Sequence, residues 1–94
     1  MVLEVALIDV TPGSEEGFRV SYAQARELLT GSRGCQRVRM TQGIETPTRF
    51  VLQVEWVDVA AHDAFRAGEG FGQWRALIGP HFACPPHVEH FADL

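Results

Sequence analysis

The sequence contains no lysine and no asparagine. All eight of its basic residues are arginine, a bias that a GC-rich genome explains without any functional demand. Set against twelve acidic residues, they leave a net charge of −4. The basic stripe that a nucleic-acid partner requires is therefore missing. Long apolar runs are missing as well: nothing approaches the roughly 18 consecutive apolar residues of a membrane span. The N-terminus has no basic start ahead of an apolar core, so no signal peptide is expected and the protein is expected to be cytoplasmic. Cysteine is scarce. Cys35 and Cys84 lie in neither a CxxC nor a metal-ligand spacing and fit reduced thiols in that compartment. The four histidines show no HxxxH-type spacing, so no metal is expected, and no other cofactor is expected either.

What remains is 94 residues, 46% of them hydrophobic. That predicts one domain over residues 1–94 with a small core, a size at which oligomerisation commonly adds stability. Val2 to Val10 is rich in Val, Leu and Ile and ends at the turn Thr11-Pro12-Gly13, which predicts a strand. A helix follows, with Ser14 as N-cap and Glu15 and Glu16 in the first turn. Phe18, Tyr22, Ala25 and Leu29 share one of its faces, and Gly31 and Gly34 stop it. Cys35 to Glu45 and Arg49 to Val57 predict an antiparallel hairpin. Val38, Met40, Gln42 and Ile44 share one face of its first strand, and Phe50, Leu52, Val54 and Trp56 one face of its second. Asp58 caps a short helix through Ala67, and a further helix runs from about Phe71 to Phe82, bent or ended by Pro80. A last strand covers about His87 to Ala92. The order is β-α-β-β-α-β with the second helix broken in two, the ferredoxin-like α+β pattern: a four-stranded antiparallel sheet with helices on one face.

Such a sheet leaves its second face open. In the hairpin that face carries Arg37, Arg39, Val51, Gln53 and Glu55. The mixture suits either a polar interface between two copies, closing a two-fold symmetric barrel, or a solvated sheet face.

The chain also resembles the antibiotic-biosynthesis-monooxygenase family. The resemblance rests on Val54-Glu55-Trp56, on Asp58-Val59-Ala60-Ala61-His62 with Phe65, and on Phe71 and Trp74. Thr11-Pro12-Gly13 and Gly34-Cys35 match as well, so it spans nearly the whole chain. It implies a homodimeric α+β barrel with a cavity between sheet and helices in each subunit. Family members include cofactor-independent monooxygenases acting on aromatic polyketides or quinols, and haem-degrading enzymes. The haem-degrading members use an Asn, a Trp and a His at positions that fall near Ala6, Phe65 and Arg75. None matches, so haem degradation is not expected. The polyketide-oxidising members use an Asn near the Trp of the third strand, and here only Trp56 carries over.

A cavity on the helix side would be lined by Leu52, Val54 and Trp56 below, and by His62 and Phe65 from one helix. Phe71, Trp74, Ile78 and His81 would come from the next, with Tyr22 closing the side. Such a pocket is aromatic and apolar, and suits a flat hydrophobic compound such as a quinol. Oxygenation without a cofactor requires deprotonation of an electron-rich phenol or quinol, and histidine is the natural base. His62 and His81 are the catalytic candidates; Glu4, and Arg75 as an oxyanion partner, stand behind them. Each has a plain structural reading too: a hydrogen-bonded helix histidine for His62, a helix-end cap for His81, and core packing for Trp56, Trp74, Phe65 and Phe71. The leading expectation is a cofactor-independent monooxygenase-like protein. The rivals are a non-catalytic small-molecule-binding or interaction protein on the same barrel, and an isomerase that moves a proton with His62.

Overall fold

A computed structural model describes the whole chain, Met1 to Leu94. Its elements are β1 (Val2–Asp9), α1 (Glu15–Thr30), β2 (Cys35–Gln42), β3 (Arg49–Trp56), α2 (Val59–Ala67), α3 (Glu69–Ile78), a 3₁₀ turn (Gly79–His81) and β4 (His87–Phe91). The four strands form one antiparallel sheet in the order β2-β3-β1-β4, the ferredoxin-like arrangement.

Alternation decides which side of the sheet meets the helices. In β3, Phe50, Leu52, Val54 and Trp56 are buried and the residues between them are half-buried. In β1, Glu4, Ala6 and Ile8 point the same way. Burying one side chain in two is what a period of two produces when helices cover one face. Phe18, Ala25 and Leu29 of α1, Phe65 of α2, and Trp74 and Ile78 of α3 complete a single core. Twelve of its fourteen members lie on these five elements; the other two are Val38 of β2 and Val10, which extends β1.

The element boundaries depart from the sequence expectation in three places. β2 ends at Gln42, so Ile44 falls in the turn and is 90% exposed rather than continuing the inner face of the strand. Ser14 precedes α1 but its side chain makes no capping bond; Glu15 instead accepts from the Gly13 N–H. The last helix begins at Glu69 and ends at Ile78. Pro80 then sits in the 3₁₀ turn, having no N–H to continue the α-helical ladder. Asp58 does cap α2, accepting from Ala61 N at 2.9 Å.

Two features tie the helix layer to the sheet. Gly34 has φ +86°, and a Cβ there would stand 2.6 Å from the Ala61 Cβ, so α2 approaches as closely as it does because this residue is glycine. The segment after α3 is strapped to the end of β1 by Thr11 N to His81 O at 2.9 Å and Ala83 N to Asp9 O at 2.8 Å. That strap carries Phe82, Pro85 and Pro86 across the mouth of the space between sheet and helices.

Candidate active site

Glu4 is the one charged residue on the inner face of β1, and it is only 5% exposed. Register explains its company. Glu4 pairs directly with His90 of β4 across one edge, while Val2 pairs with Trp56 across the other. Side chains of paired positions share a face, and the diagonal neighbour is within reach of an indole. Trp56 Nε1 accordingly donates to Glu4 Oε1 at 2.9 Å. From above, α2 brings His62 down so that its Nε2 stands 3.3 Å from the same Oε1. The other ring nitrogen, Nδ1, shares a hydrogen bond with His90 Nε2 at 2.7 Å. The His62 ring also stacks on Trp56, with centroids 5.1 Å apart and planes 17° from parallel.

These contacts make a chain, Glu4 to His62 to His90. They do not make a metal site, because His62 offers its two nitrogens to different partners and the three groups do not converge on one point.

Burial governs the charge states. It pushes the Glu4 carboxyl above its ordinary 4.5; the Trp56 hydrogen bond and the His90 and Arg66 charges oppose it less strongly. Burial also holds His62 down from 6.5 to about 4, assisted by Arg66 and His90 and opposed by Asp63. His62 is thus neutral at pH 7, with one nitrogen protonated and one free to accept.

Glu4 and His62 form part of the wall of a cavity of about 270 Å³. Its floor is Ala6, Ile8 and Leu52 of the sheet. Phe65 and Arg66 of α2, and Phe71, Trp74, Arg75 and Ile78 of α3, form its roof. Phe82, Pro85, Pro86 and Val88 close the far side. The aromatic rings are mutually braced, Phe65 lying edge-on to Phe71 with centroids 5.9 Å apart. Of the two arginines, Arg66 is paired with Asp63 at 2.7 Å, whereas Arg75 lies over the Phe71 ring, 5.9 Å from its centroid. A largely apolar pocket with a few polar groups at one end is the usual form of a small-molecule site.

The cavity gathers His62, Leu52, Phe65, Phe71, Trp74 and Ile78 from among the residues singled out in the sequence. Val54 and Trp56 are fully buried and stand outside its lining, Trp56 acting from beneath through Glu4 and His62. Tyr22 is outside as well. It packs edge-on against Trp74 and borders a separate groove with Phe18, Met40 and Phe50. His81, in the 3₁₀ turn, packs against α1, its Nε2 3.1 Å from Ser21 Oγ and its ring against Gly17, where a Cβ would meet it at 2.9 Å. The 3₁₀ turn at Pro80 is what swings His81 off the face shared by Phe71, Trp74 and Ile78.

His90 is the member that sequence reasoning left without a role. Its signal was present, since an acid on the inner face of a β1 strand needs partners on its neighbours. Only the β1–β4 register names which residue answers it.

Fold and cavity together define a ferredoxin-like α+β protein with a largely apolar cavity between its sheet and its helices. A family model described as antibiotic biosynthesis monooxygenase matches residues 1–77, and the chain belongs to that family. A crystal structure described as a "Putative antibiotic biosynthesis monooxygenase" from Bordetella bronchiseptica is 41% identical, with a TM-score of 0.94, covering 99% of this chain and 96% of that one. The uncharacterized protein YczJ of Bacillus subtilis (strain 168) is 30% identical over 95 residues, covering both chains in full. A mutant of SnoaB, described as a cofactor-independent oxygenase from Streptomyces nogalater, superposes with a TM-score of 0.85 over 98% of this chain and 91% of that one. At 17% identity that likeness shows the fold alone.

Proposed function

We propose that this protein is a cofactor-independent monooxygenase acting on a small aromatic compound of the quinol type. The observation that carries the reading is a buried carboxyl–imidazole chain in the wall of an aromatic cavity. The family and the oxygenase among its structural neighbours support it. In such a reaction the bound phenol or quinol loses a proton and its anion reduces oxygen. One oxygen atom enters the ring as a carbonyl and the other leaves as water, so the substrate itself supplies the electrons. The protein must hold the anion away from water and handle protons, and the cavity and the Glu4–His62–His90 chain are suited to those tasks.

Oxygen uptake with a panel of benzene and naphthalene hydroquinols tests this. Uptake above the spontaneous rate, lowered by substitution of His62, is the expected result. Rates equal to the buffer control across the panel would overturn it. The same chain of proton-carrying groups also favours a second reading, a proton-transfer isomerase. That reading predicts deuterium exchange into a bound carbonyl compound under argon, where an oxygenase is silent.

The unit of function in this reading is a homodimer. The open sheet face carries Leu7 and Phe91, 45% and 46% exposed, beside an Arg37–Glu55 pair at 3.8 Å. Covering that face with a second copy would close the barrel.

A further inference from the structure

The carboxyl of Glu4 has two oxygens with different surroundings. Oε1 takes both protein contacts, from Trp56 at 2.9 Å and from His62 at 3.3 Å. Oε2 has no hydrogen-bond partner in the chain, yet no buried side-chain oxygen is left unsatisfied in the structure. Oε2 therefore reaches accessible space, and the space that Glu4 borders is the cavity. The His62 ring is differently placed. Both of its nitrogens already have polar neighbours, Oε1 of Glu4 on one side and Nε2 of His90 on the other. His90 in turn lies on the edge strand β4, half-buried, with its Nδ1 free of any protein partner.

We infer that Glu4, through Oε2, is the group that takes the proton from the cavity ligand, and that His62 and His90 are a relay carrying this proton to solvent at the sheet edge. This deepens the proposed oxygenase reading and rests on it for the nature of the substrate. The steps balance. The substrate O–H or C–H bond breaks, its electron pair stays on the substrate, and the proton joins the Glu4 carboxylate. Rotation of the carboxyl about its Cγ–Cδ bond turns the newly bound proton from the cavity toward His62. With both imidazoles in the Nδ1–H tautomer, the carboxyl gives this proton to Nε2 of His62 as His62 gives its Nδ1 proton to Nε2 of His90, and His90 releases its Nδ1 proton to water. Each group ends with the proton count it began with, and both imidazoles end in the opposite tautomer. Run in reverse, the chain returns one proton to the oxygenated intermediate, which resets the tautomers as water leaves.

Burial raises the affinity of the Glu4 carboxyl for protons, which favours uptake from the ligand. The same burial disfavours a charged His62, so His62 must release its Nδ1 proton as it takes the one from Glu4. The charged groups facing the chain from the helices are Arg66 with its partner Asp63, and Arg75 at the cavity wall. Arg66 acts on both Glu4 and His62, opposing the rise of the one and aiding the fall of the other. Glu4 is the catalytic residue in this scheme; His62 and His90 act through it.

The test compares wild type with Glu4→Gln and His90→Gly on a hydroquinol that the wild type oxidises. Glu4→Gln keeps the shape and can still accept from Trp56, and is expected to lower kcat by at least about 100-fold with KM little changed. His90→Gly is expected to lower kcat by about 10-fold, to move the alkaline or acid limb of the pH profile, and to recover with added imidazole. A Glu4→Gln variant that folds and keeps its rate overturns the inference while leaving the oxygenase reading intact. A His90→Gly variant that imidazole does not rescue, with an unmoved pH profile, removes the relay. If the wild type oxidises nothing, it is the oxygenase reading that fails. The chain is then read directly by ¹⁵N NMR of the imidazoles. Glu4→Gln should change the tautomer balance of both His62 and His90, and spectra in which His90 does not respond would overturn the chain itself. Thermal melts establish folding for each variant; should Glu4→Gln fail to fold, Glu4→Asp, which shortens the reach to the cavity, takes its place with the same expected loss.

Discussion

At the scale of single residues, the molecule turns on one unusual choice, a glutamate where the inner face of β1 otherwise carries Ala6, Ile8 and the adjoining Val10. A buried carboxyl is costly unless partnered, and Trp56 and His62 are the partners present. Replacing Trp56 with Phe keeps most of the ring but removes the N–H donor. It should destabilise the fold by about 2 kcal/mol in urea denaturation, since a buried acceptor loses its donor. The pH dependence of stability follows from the two shifted groups, which act in opposite directions. The folded-state pKa of His62 lies below its ordinary value, so its contribution is intact above pH 6.5 and is lost as pH falls toward about 4. That of Glu4 is raised, so its contribution is intact below pH 4.5 and is lost as pH rises through the elevated folded value. Melting temperatures measured from pH 4 to 8 should show the His62 acid limb, and His62→Gln should flatten it. An unchanged limb in that variant would place the acid sensitivity elsewhere.

At the scale of elements, caps and turns separate the boundaries that local chemistry decides from those it does not. Asp58 accepts a backbone bond in α2, and Asp58→Ala should cost about 1 kcal/mol. Ser14 makes no such bond, so Ser14→Ala should be close to neutral in the same urea titration. Both positions read alike in sequence, an N-cap type before an apolar periodic run. They differ because Glu15 reaches back to Gly13 and takes over the turn before α1. Gly34→Ala should be more severe than either, at least about 1 kcal/mol, because it sets a strained φ against a Cβ–Cβ distance of 2.6 Å. Since Gly34 sits where α2 meets the sheet, that variant should also loosen His62 over Trp56, and faster hydrogen exchange along α2 would report it.

At the scale of the whole molecule, the sheet is finished on one side and open on the other. Light scattering after size exclusion should give a dimer at micromolar concentration, and Leu7→Arg, placed on the open face, should shift it toward monomer. A wild-type monomer would contradict the barrel.

The order of strands and helices, the ferredoxin-like class and the inward face of β3 were determined by the sequence itself. Each depends on a period of two or of three to four residues, and on turn residues that act over a few positions. The aromatic roof of the cavity was legible for the same reason, because Phe71, Trp74 and Ile78 lie within one helix. The removal of His81 from that roof was not, since it depends on where the strap after Pro80 docks on α1. Nor was the site's centre. Glu4, Trp56, His62 and His90 come from four elements spread over nearly the whole chain; His62, Glu4 and Trp56 were separate candidates in the sequence, and nothing in it joined them to one another or to His90. Only the pairing of β1 with both β3 and β4 sets the acid between an indole and an imidazole, and only the seating of α2 brings the second imidazole down between them. Local pattern decides which way a side chain points, whereas a contact between residues 4 and 90 exists only once the sheet has chosen its register.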